Sequence, residues 1–369
     1  KEKSIERRHL WVFSGAIKET DPTIQDGDLV QIKANKGRFL GIGHYAAEGK
    51  VAIRILSFQE TEINQEYYNK RVQDAFHLRQ KTNCIADNQN IFRLIHAEGD
   101  LLPGLIVDVY DRVAVIQCHS YGMYQDREKI AQAIQNIIPT IDTIYCKGVS
   151  AIKNTNVIDE YLLGNQSSTK AFEYGIQYHI DWEEGQKTGF FVDQRENRKL
   201  LGSYSQNKKV LNTYCYSGGF SLAALKGGAD LVHSVDSSAS AIDILEQNLN
   251  LNTFEGDHES FTEDTTDFLK KMETPYDIIV LDPPAFAKHM RNRHNAIQGY
   301  KRINGYALRH IQPGGLLFTF SCSQVIDNDV FKSTVMAAAI ASGRSVRVIH
   351  QLHQPQDHPI NIYQPESEY

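Results

Sequence analysis

Between Asp26 and Phe58 the chain alternates apolar and polar positions, with glycines breaking the runs ("DGDLVQIKANKGRFLGIGHYA", 26–46, then "KVAIRILSF", 50–58). Period two is the signature of a strand with one buried face, so a small β-barrel is expected over residues 1–65. Residues 64–83 switch to polar, helical spacing, and "ADNQN" (86–90) ends that pattern. Further strand-like runs follow: "LLPGLIVDVYDRVAVIQCHS" (101–120), "TIYCKG" (143–148) and "AFEYGIQYHID" (171–181). They surround one helix, "DREKIAQAIQNII" (126–138). This predicts a small α+β middle domain over residues 66–182.

From about residue 183 to 369 the rhythm becomes strand, loop, helix, repeated. Strands are expected at "KKVLNTY" (208–214), "DLVHSVD" (230–236), "HESFTED" (258–264), "YDIIVLD" (276–282), "GGLLFTFSCS" (314–323) and "RSVRVIHQL" (344–352). Helical segments such as "GFSLAALKG" (219–227), "SASAIDILEQNLNLN" (238–252) and "NDVFKSTVMAAAIASG" (328–343) separate them. Alternation of this kind predicts an α/β fold with a parallel, Rossmann-like sheet and helices on both faces. Ligands of such sheets sit at the carboxyl ends of the strands.

Composition narrows the class. With 369 residues, 41% hydrophobic and 23% charged, the chain reads as globular and is long enough for two or three domains. No apolar run approaches the roughly 18 residues that span a bilayer. The start, "KEKSIERRHLW", has no apolar core of signal-peptide type, and its lack of Met leaves room for a trimmed terminus. The five cysteines (Cys84, Cys118, Cys146, Cys215, Cys322) are scattered without a CxxC pair. A disulfide framework and a structural zinc site are disfavoured, which fits a reducing cytosol, and no metal is expected. The net charge of −6 argues against an extended nucleic-acid surface, yet residues 1–60 carry +2 against −8 for the rest. Any nucleic-acid contact is therefore expected in the N-terminal segment, with Arg7, Arg8, Lys33, Lys36 and Arg38 as candidates.

The expected strand ends hold the residues that carry chemistry. The loop "TYCYSGGFS" (213–221) has adjacent glycines that allow close approach of a ligand. It lacks the G-x-G-x-x-G fingerprint, which disfavours a dinucleotide cofactor. Asp236 ends the second strand, where a carboxylate either binds ribose hydroxyls or stays solvated. Asp264 ends the third, either to meet an adenine amino group or to cap the next helix. In "IVLDPPAF" (279–286) a buried strand runs into Asp282 and two prolines, a rigid loop. Enzymes that methylate exocyclic amines usually place an aromatic after the two prolines to stack the base. Here Ala285 stands there and Phe286 follows. Cys322 closes the fifth strand.

Five stretches occur in order: "GQKTGFFVDQREN" (185–197), "NTYCYSGGFS", "VDSS", "LDPPAF" and "TFSCS". Together they closely resemble the RlmI-like class I methyltransferases, S-adenosylmethionine-dependent enzymes of large-subunit ribosomal RNA. "RRHLWVFSGAI" (7–17) is similar to the start of that family's PUA domain, a small RNA-binding barrel, and "RLIHAEGDLLPGLIVDVY" (93–110) to the opening of its middle domain. The resemblance implies a cofactor site for S-adenosyl-L-methionine. Phe190, Asp193 and Arg195 would help to form it, Tyr214, Ser217 and Gly218 would line its methionine end, Asp236 and Ser237 would hold the ribose, and Asp264 the adenine. Asp282 and Pro283 would flank the transferred methyl and the base. Cys322 matches the cysteine of cytosine-5 members. The family usually ends in one more strand after a "YPE"-like segment, so with "YQPESEY" the last strand of the sheet is expected to be missing. The implied partner is 23S ribosomal RNA, free or in a large-subunit precursor, with no membrane; a homodimer is left open.

The chemistry explains why a thiol matters. Cytosine C5 is a poor nucleophile. A thiolate adding to C6 turns it into an enamine-like carbon that can attack an electrophilic methyl. A carboxyl group beside N3 would stabilise the developing charge. Cys322 and Asp282 are therefore the candidate catalytic pair, with Lys187 or Lys288 as candidate charges to favour the thiolate. Cys215 reads as a packing residue. Three alternatives stay open: a guanine-N7 or other ring-nitrogen methyltransferase, a uracil-C5 enzyme, and a non-enzymatic RNA-binding assembly factor.

Overall fold

The computed structural model describes residues 2–149, 152, 156–323 and 325–368. The chain forms two units. The first comprises Lys1–Gly175, Ile180–Asp193 and Gln354–Glu368; the second comprises Ile176–His179 and Gln194–His353.

The first unit holds two sheets. β1 (Trp11–Phe13), β2 (Leu29–Lys33), β3 (Phe39–Tyr45) and β4 (Val51–Ser57) pair antiparallel in the order β1-β4-β3-β2. Their alternating apolar residues, among them Val12, Val30, Ile32, Ile53 and Ile55, form one core with Ile5 of the short helix α1 (Glu2–Glu6). The second sheet has the order β5-β6-β7-β8-β9, from Ile91–His96, Leu105–Tyr110, Val113–Cys118, Thr143–Lys147 and Glu160–Leu163. Helices α2 (Gln65–Lys81), α3 (Tyr121–Gln125) and α4 (Arg127–Ile137) contribute to its core. Asn64 starts α2 by accepting a hydrogen bond from Tyr67 N at 3.1 Å, so the helix begins where the sequence loses its period of two. β10 (Ser168–Glu173) and β11 (Ile176–Asp181) make a separate two-stranded sheet.

A buried polar group joins the first sheet to the helices packed on the second. His44 Nε2 of β3 lies 3.0 Å from Asp126 Oδ2, Tyr68 donates to the same oxygen at 2.6 Å, and Lys129 donates to Oδ1 at 2.7 Å. A second group receives the carboxyl-terminal segment. Arg93 pairs bidentately with Asp108 at 2.8 and 2.9 Å, and its backbone N–H donates to Asp357 at 2.9 Å. Arg79 pairs with Asp100 at 2.6 Å and donates to the Asp357 carbonyl at 2.7 Å. Residues 354–368 thus fold with the first unit. Buried charges at Arg79, Arg93, Asp108 and Asp357 account for this, because each requires a partner once removed from water.

The second unit is the expected doubly wound layer. β12 (Lys209–Thr213), β13 (Leu231–Asp236), β14 (Asp257–Thr262), β15 (Ile278–Leu281) and β16 (Leu316–Thr319) are all parallel, in the order β14-β13-β12-β15-β16. Helices α5 (Arg195–Ser203), α6 (Gly219–Lys226), α7 (Ala239–Asn250), α8 (Thr265–Lys271), α9 (Arg293–His310) and α10 (Asn328–Ser342) alternate with the strands. β15 is an unbroken buried "IIVL", as a central parallel strand must be. Asn212, Ser221, Ser234 and His258 form a hydrogen-bonded chain of 2.6–2.8 Å steps across β12, α6, β13 and β14.

One expected strand is absent. Residues 344–352 carry no sheet pairing among the described residues, and Val346, Val348 and Ile349 stand exposed. The alternation is present in the sequence, but a strand is defined by a partner strand, and none pairs with this segment among the described residues. No described helix is long and apolar enough to cross a membrane.

The Asp126 carboxyl is held down at about 2: burial opposes its ionisation, and hydrogen bonds from His44, Lys129 and Tyr68 outweigh that. A carboxyl depressed by folding stabilises above its unfolded value near 3.9, and this is lost as pH falls toward the folded one. Asp126→Asn should therefore lower stability by about 1–2 kcal/mol at pH 7. Chemical denaturation at pH 7 and pH 3 should show the difference from wild type shrinking at the lower pH.

Candidate active site

Register fixes where the strand ends lie. Thr213 of β12 pairs with both Val235 and Leu281, Leu281 pairs with Thr319, and Asp236 pairs with Thr262. The residues that leave β12, β13, β14, β15 and β16 therefore emerge along one edge. The strand order reverses between β12 and β15, the position where open α/β sheets leave a crevice. Tyr214 leaves β12 on one side of that crevice and Asp282 leaves β15 on the other.

The loop after β12 is wound tightly. Tyr214 and Tyr216 take positive φ (54° and 46°), and so does Gly218 (82°). Non-glycine residues in that region cost on the order of 1 kcal/mol each and persist where the surroundings hold them. Here Cys215 N donates to Val235 O at 3.1 Å, Tyr216 N donates to Asp236 Oδ2 at 3.0 Å, and Gly218 N donates to Cys215 O at 2.8 Å. Asn248 donates to Ser217 O at 2.9 Å. Asp236 also receives Ser238 N on its other oxygen at 3.0 Å. Each carboxylate oxygen has a second acceptor site, so Asp236 can still accept from a pair of hydroxyls. Asp264 caps α8, receiving Asp267 N at 3.0 Å. Burial pushes the Tyr214 hydroxyl up to about 12, with the charge of Asp264 acting in the same direction.

On the far side, the Asp282 loop and the Cys322 loop meet. Cys322 Sγ lies 3.5 Å from the carbonyl oxygen of Pro283. Phe320 N donates to Leu281 O at 2.9 Å, extending the β15–β16 ladder to within two residues of the thiol. Ser323 Oγ accepts from Ala287 N at 3.4 Å and lies 2.9 Å from the buried Tyr300 hydroxyl of α9, which ties both loops to that helix. Phe286 packs on Tyr300, ring centres 4.6 Å apart. A side chain at Gly299 would start 2.9 Å from Phe286, which is why a glycine stands there. Cys322 is exposed, whereas Cys84, Cys118, Cys146 and Cys215 are buried. The Cys215 thiol is pushed far above the ordinary thiol value by burial and then by Asp236.

The remaining candidates divide between the units. Arg195 is buried at the start of α5, its Nε 3.1 Å from Glu196. Ser237 is exposed just after β13. Phe190 and Asp193 belong to the first unit. There Phe190 is buried, and Asp193 accepts from Lys187 at 3.1 Å. Burial opposes the ionisation of Asp193, but Lys187, His358 and Arg93 overcome it and hold the carboxyl well below its usual range. Lys187 also lies over the Phe191 ring at 4.3 Å, so its charge is engaged by its own loop. Lys288 is exposed shortly after the Asp282 loop. Arg7, Arg8, Lys33, Lys36 and Arg38 are all exposed on the first unit, and Arg38 pairs with Glu6 at 2.6 Å. Among the described residues no His, Cys, Asp and Glu cluster could hold a metal.

Residues 151–362 match the family described as S-adenosylmethionine-dependent methyltransferase, and residues 1–58 match a PUA-like domain. A ribosomal RNA large subunit methyltransferase I from Alteromonas mediterranea is 35% identical over 377 residues, covering 100% of this chain and 95% of the relative. The chain belongs to this methyltransferase family. An enzyme of the same description from Escherichia coli O139:H28 is 34% identical over 381 residues with the same coverage. The fold also matches the solved structure of a Streptococcus mutans protein described as a SAM-dependent methyltransferase, with TM-score 0.85, 23% identity, and coverage of 100% and 95%. A methyltransferase complexed with S-adenosylhomocysteine gives TM-score 0.84 at 23% identity and the same coverage.

S-adenosyl-L-methionine is the cofactor of this family, and the second unit suits it: a tight glycine loop at a helix start, with a strand-end carboxylate able to take two hydroxyls. In this methyltransferase the sequence alone did not reveal Gln194, Asn197, Tyr300 and Ser323 as parts of the site. Gln194 meets Asp282, 88 positions away, Tyr300 meets Ser323, 23 away, and Asn197 acts through Gln194, so no local pattern marks them. Gly218→Ala should be costly, because φ is positive and the new Cβ would lie 2.1 Å from Leu245 Cδ1. Thermal and chemical denaturation should show a loss of about 1–3 kcal/mol, and calorimetry a weaker affinity for S-adenosylmethionine.

Proposed function

We propose that this methyltransferase modifies C5 of a cytosine in 23S ribosomal RNA, through a covalent bond between Cys322 and C6. The observation that carries the reading is the position of Cys322, the exposed thiol of the five, beside the Pro283 carbonyl at 3.5 Å. The names of the relatives, ribosomal RNA large subunit methyltransferase I, support the RNA substrate. The cofactor supplies an electrophilic methyl. Deprotonated Cys322 adds to C6, and the electron pair of the C5–C6 double bond moves so that C5 becomes nucleophilic. After C5 gains the methyl, a base takes the C5 proton, the C5–H electron pair re-forms the C5–C6 double bond, and the thiolate of Cys322 is expelled. Asp282, on the neighbouring loop, is read as facing the polar edge of the base. Within the second unit, Asp236 and Ser237 would hold the ribose, Asp264 the adenine, and Tyr214, Ser217, Gly218 and Arg195 the rest of the cofactor, with Pro283 beside the methyl.

Residues 1–65 are read as the RNA grip, followed by a middle domain and by the catalytic domain from about residue 183. The exposed cations Arg7, Arg8, Lys33, Lys36 and Arg38 would contact phosphates. A base reached by the strand-end thiol must leave its stack, so a single-stranded or flipped nucleotide is the expected target.

Cys322→Ala should abolish methyl transfer to 23S ribosomal RNA while leaving S-adenosylmethionine affinity intact. Mass-spectrometric mapping of ribosomal RNA from a deletion strain should show a 5-methylcytosine restored by wild type and not by the variant. Restoration by Cys322→Ala would remove the thiol from the mechanism. Lys33→Glu with Lys36→Glu should weaken RNA binding about tenfold at low salt and flatten its salt dependence, measured by filter binding at several salt concentrations.

A further inference from the structure

Two motifs 88 residues apart meet at a hydrogen bond: the Gln194 amide donates through Nε2 to Asp282 Oδ2 at 3.2 Å. Gln194 ends the turn Val192–Gln194 that leads into α5, and Asp282 is the first residue after β15. Gln194 is itself held. Asn197, buried one turn into α5, donates through Nδ2 to Gln194 Oε1 at 2.7 Å. With Oε1 taken as acceptor, the amide can present only its N–H face to Asp282. A reversed amide would set a carbonyl against a carboxylate and an NH2 against an NH2.

We propose that Gln194 is a positioning residue for Asp282, locked in orientation by Asn197. The hydrogen bond uses one oxygen of Asp282 as acceptor and fixes the plane of the carboxylate at the mouth of the crevice. A planar group turned about a single bond offers its partner a different angle, and hydrogen bonds weaken steeply with angle. The loop of Asp282 is already rigid through Pro283 and Pro284, so the remaining freedom is rotation of the side chain, which the bond from Gln194 restrains. This inference rests on the reading of Asp282 as facing the base.

The test uses the full-length enzyme with unmodified 23S ribosomal RNA and S-adenosylmethionine. Gln194→Ala should lower kcat at least about tenfold, with KM for RNA, cofactor affinity by calorimetry, and melting temperature near wild type. Gln194→Glu is close to isosteric but cannot donate to Asp282, so it should lose at least as much as the alanine variant. Asn197→Asp should follow Gln194→Glu, because a carboxylate there draws Nε2 and turns Oε1 toward Asp282. Wild-type kcat in Gln194→Glu would overturn the proposal, as packing alone would then suffice. So would a Gln194→Ala variant that loses cofactor affinity and keeps kcat. Asp282→Asn separates the two readings: if it is inactive while the Gln194 variants match wild type, the positioning role fails alone, and if it is fully active the role given to Asp282 fails.

Discussion

The ladder on both sides of β12 is the constraint on which the rest depends. One strand, pairing in parallel with β13 and β15 through the same residues, sets Thr213, Val235 and Leu281 level. β16 takes its register from β15. Because every strand points the same way, every functional loop leaves at the same edge. A slip of one residue in β15 would turn its side chains to the opposite faces and move Asp282 away from the Cys322 loop. The buried Thr213 hydroxyl, which donates to Val280 O of β15 at 2.6 Å, and the hydrogen-bonded chain from Asn212 to His258 both favour a single register. Burial supplies the driving force and the buried hydrogen bonds supply the uniqueness.

On that edge, different kinds of interaction hold the two halves of the site. The cofactor half is held by backbone donors converging on one carboxylate. Asp236 receives N–H groups from Tyr216 and Ser238, and in doing so holds Tyr216 in a backbone region that tyrosine rarely occupies. The half proposed to face the base is held by side chains. Gln194 and Asn197 act on Asp282, while Tyr300 and Ser323 tie the loops of Asp282 and Cys322 together. The first arrangement suits a cofactor common to many reactions. The second suits recognition of an acceptor, and the proposed thiol chemistry belongs to it.

Much of this was legible in the sequence because the signals are local. Alternation of strand and helix gave the parallel sheet, and position at strand ends singled out Asp236, Asp264, Asp282 and Cys322. The two prolines after Asp282 marked a rigid loop. What the sequence hid is long-range. The segment 344–352 alternates like a strand and is not one, because pairing needs a partner that periodicity cannot reveal. Gln194 and Tyr300 look like ordinary helical polar residues until their partners, 88 and 23 positions away, are brought to them. The return of Asp357 and His358 to the first unit follows from buried arginines that no local pattern connects to them.

The central claim is that Cys322 becomes bonded to the base during turnover. Fluorine at C5 of cytosine cannot leave as the proton does, so an enzyme using this route stalls as a covalent complex. Full-length enzyme incubated with S-adenosylmethionine and 23S ribosomal RNA transcribed with 5-fluorocytidine should yield a denaturation-resistant adduct. After nuclease and protease digestion, mass spectrometry should place the nucleotide on the peptide that contains Cys322. Methylation of ordinary RNA with no such adduct, or an adduct on Cys215, would contradict the account.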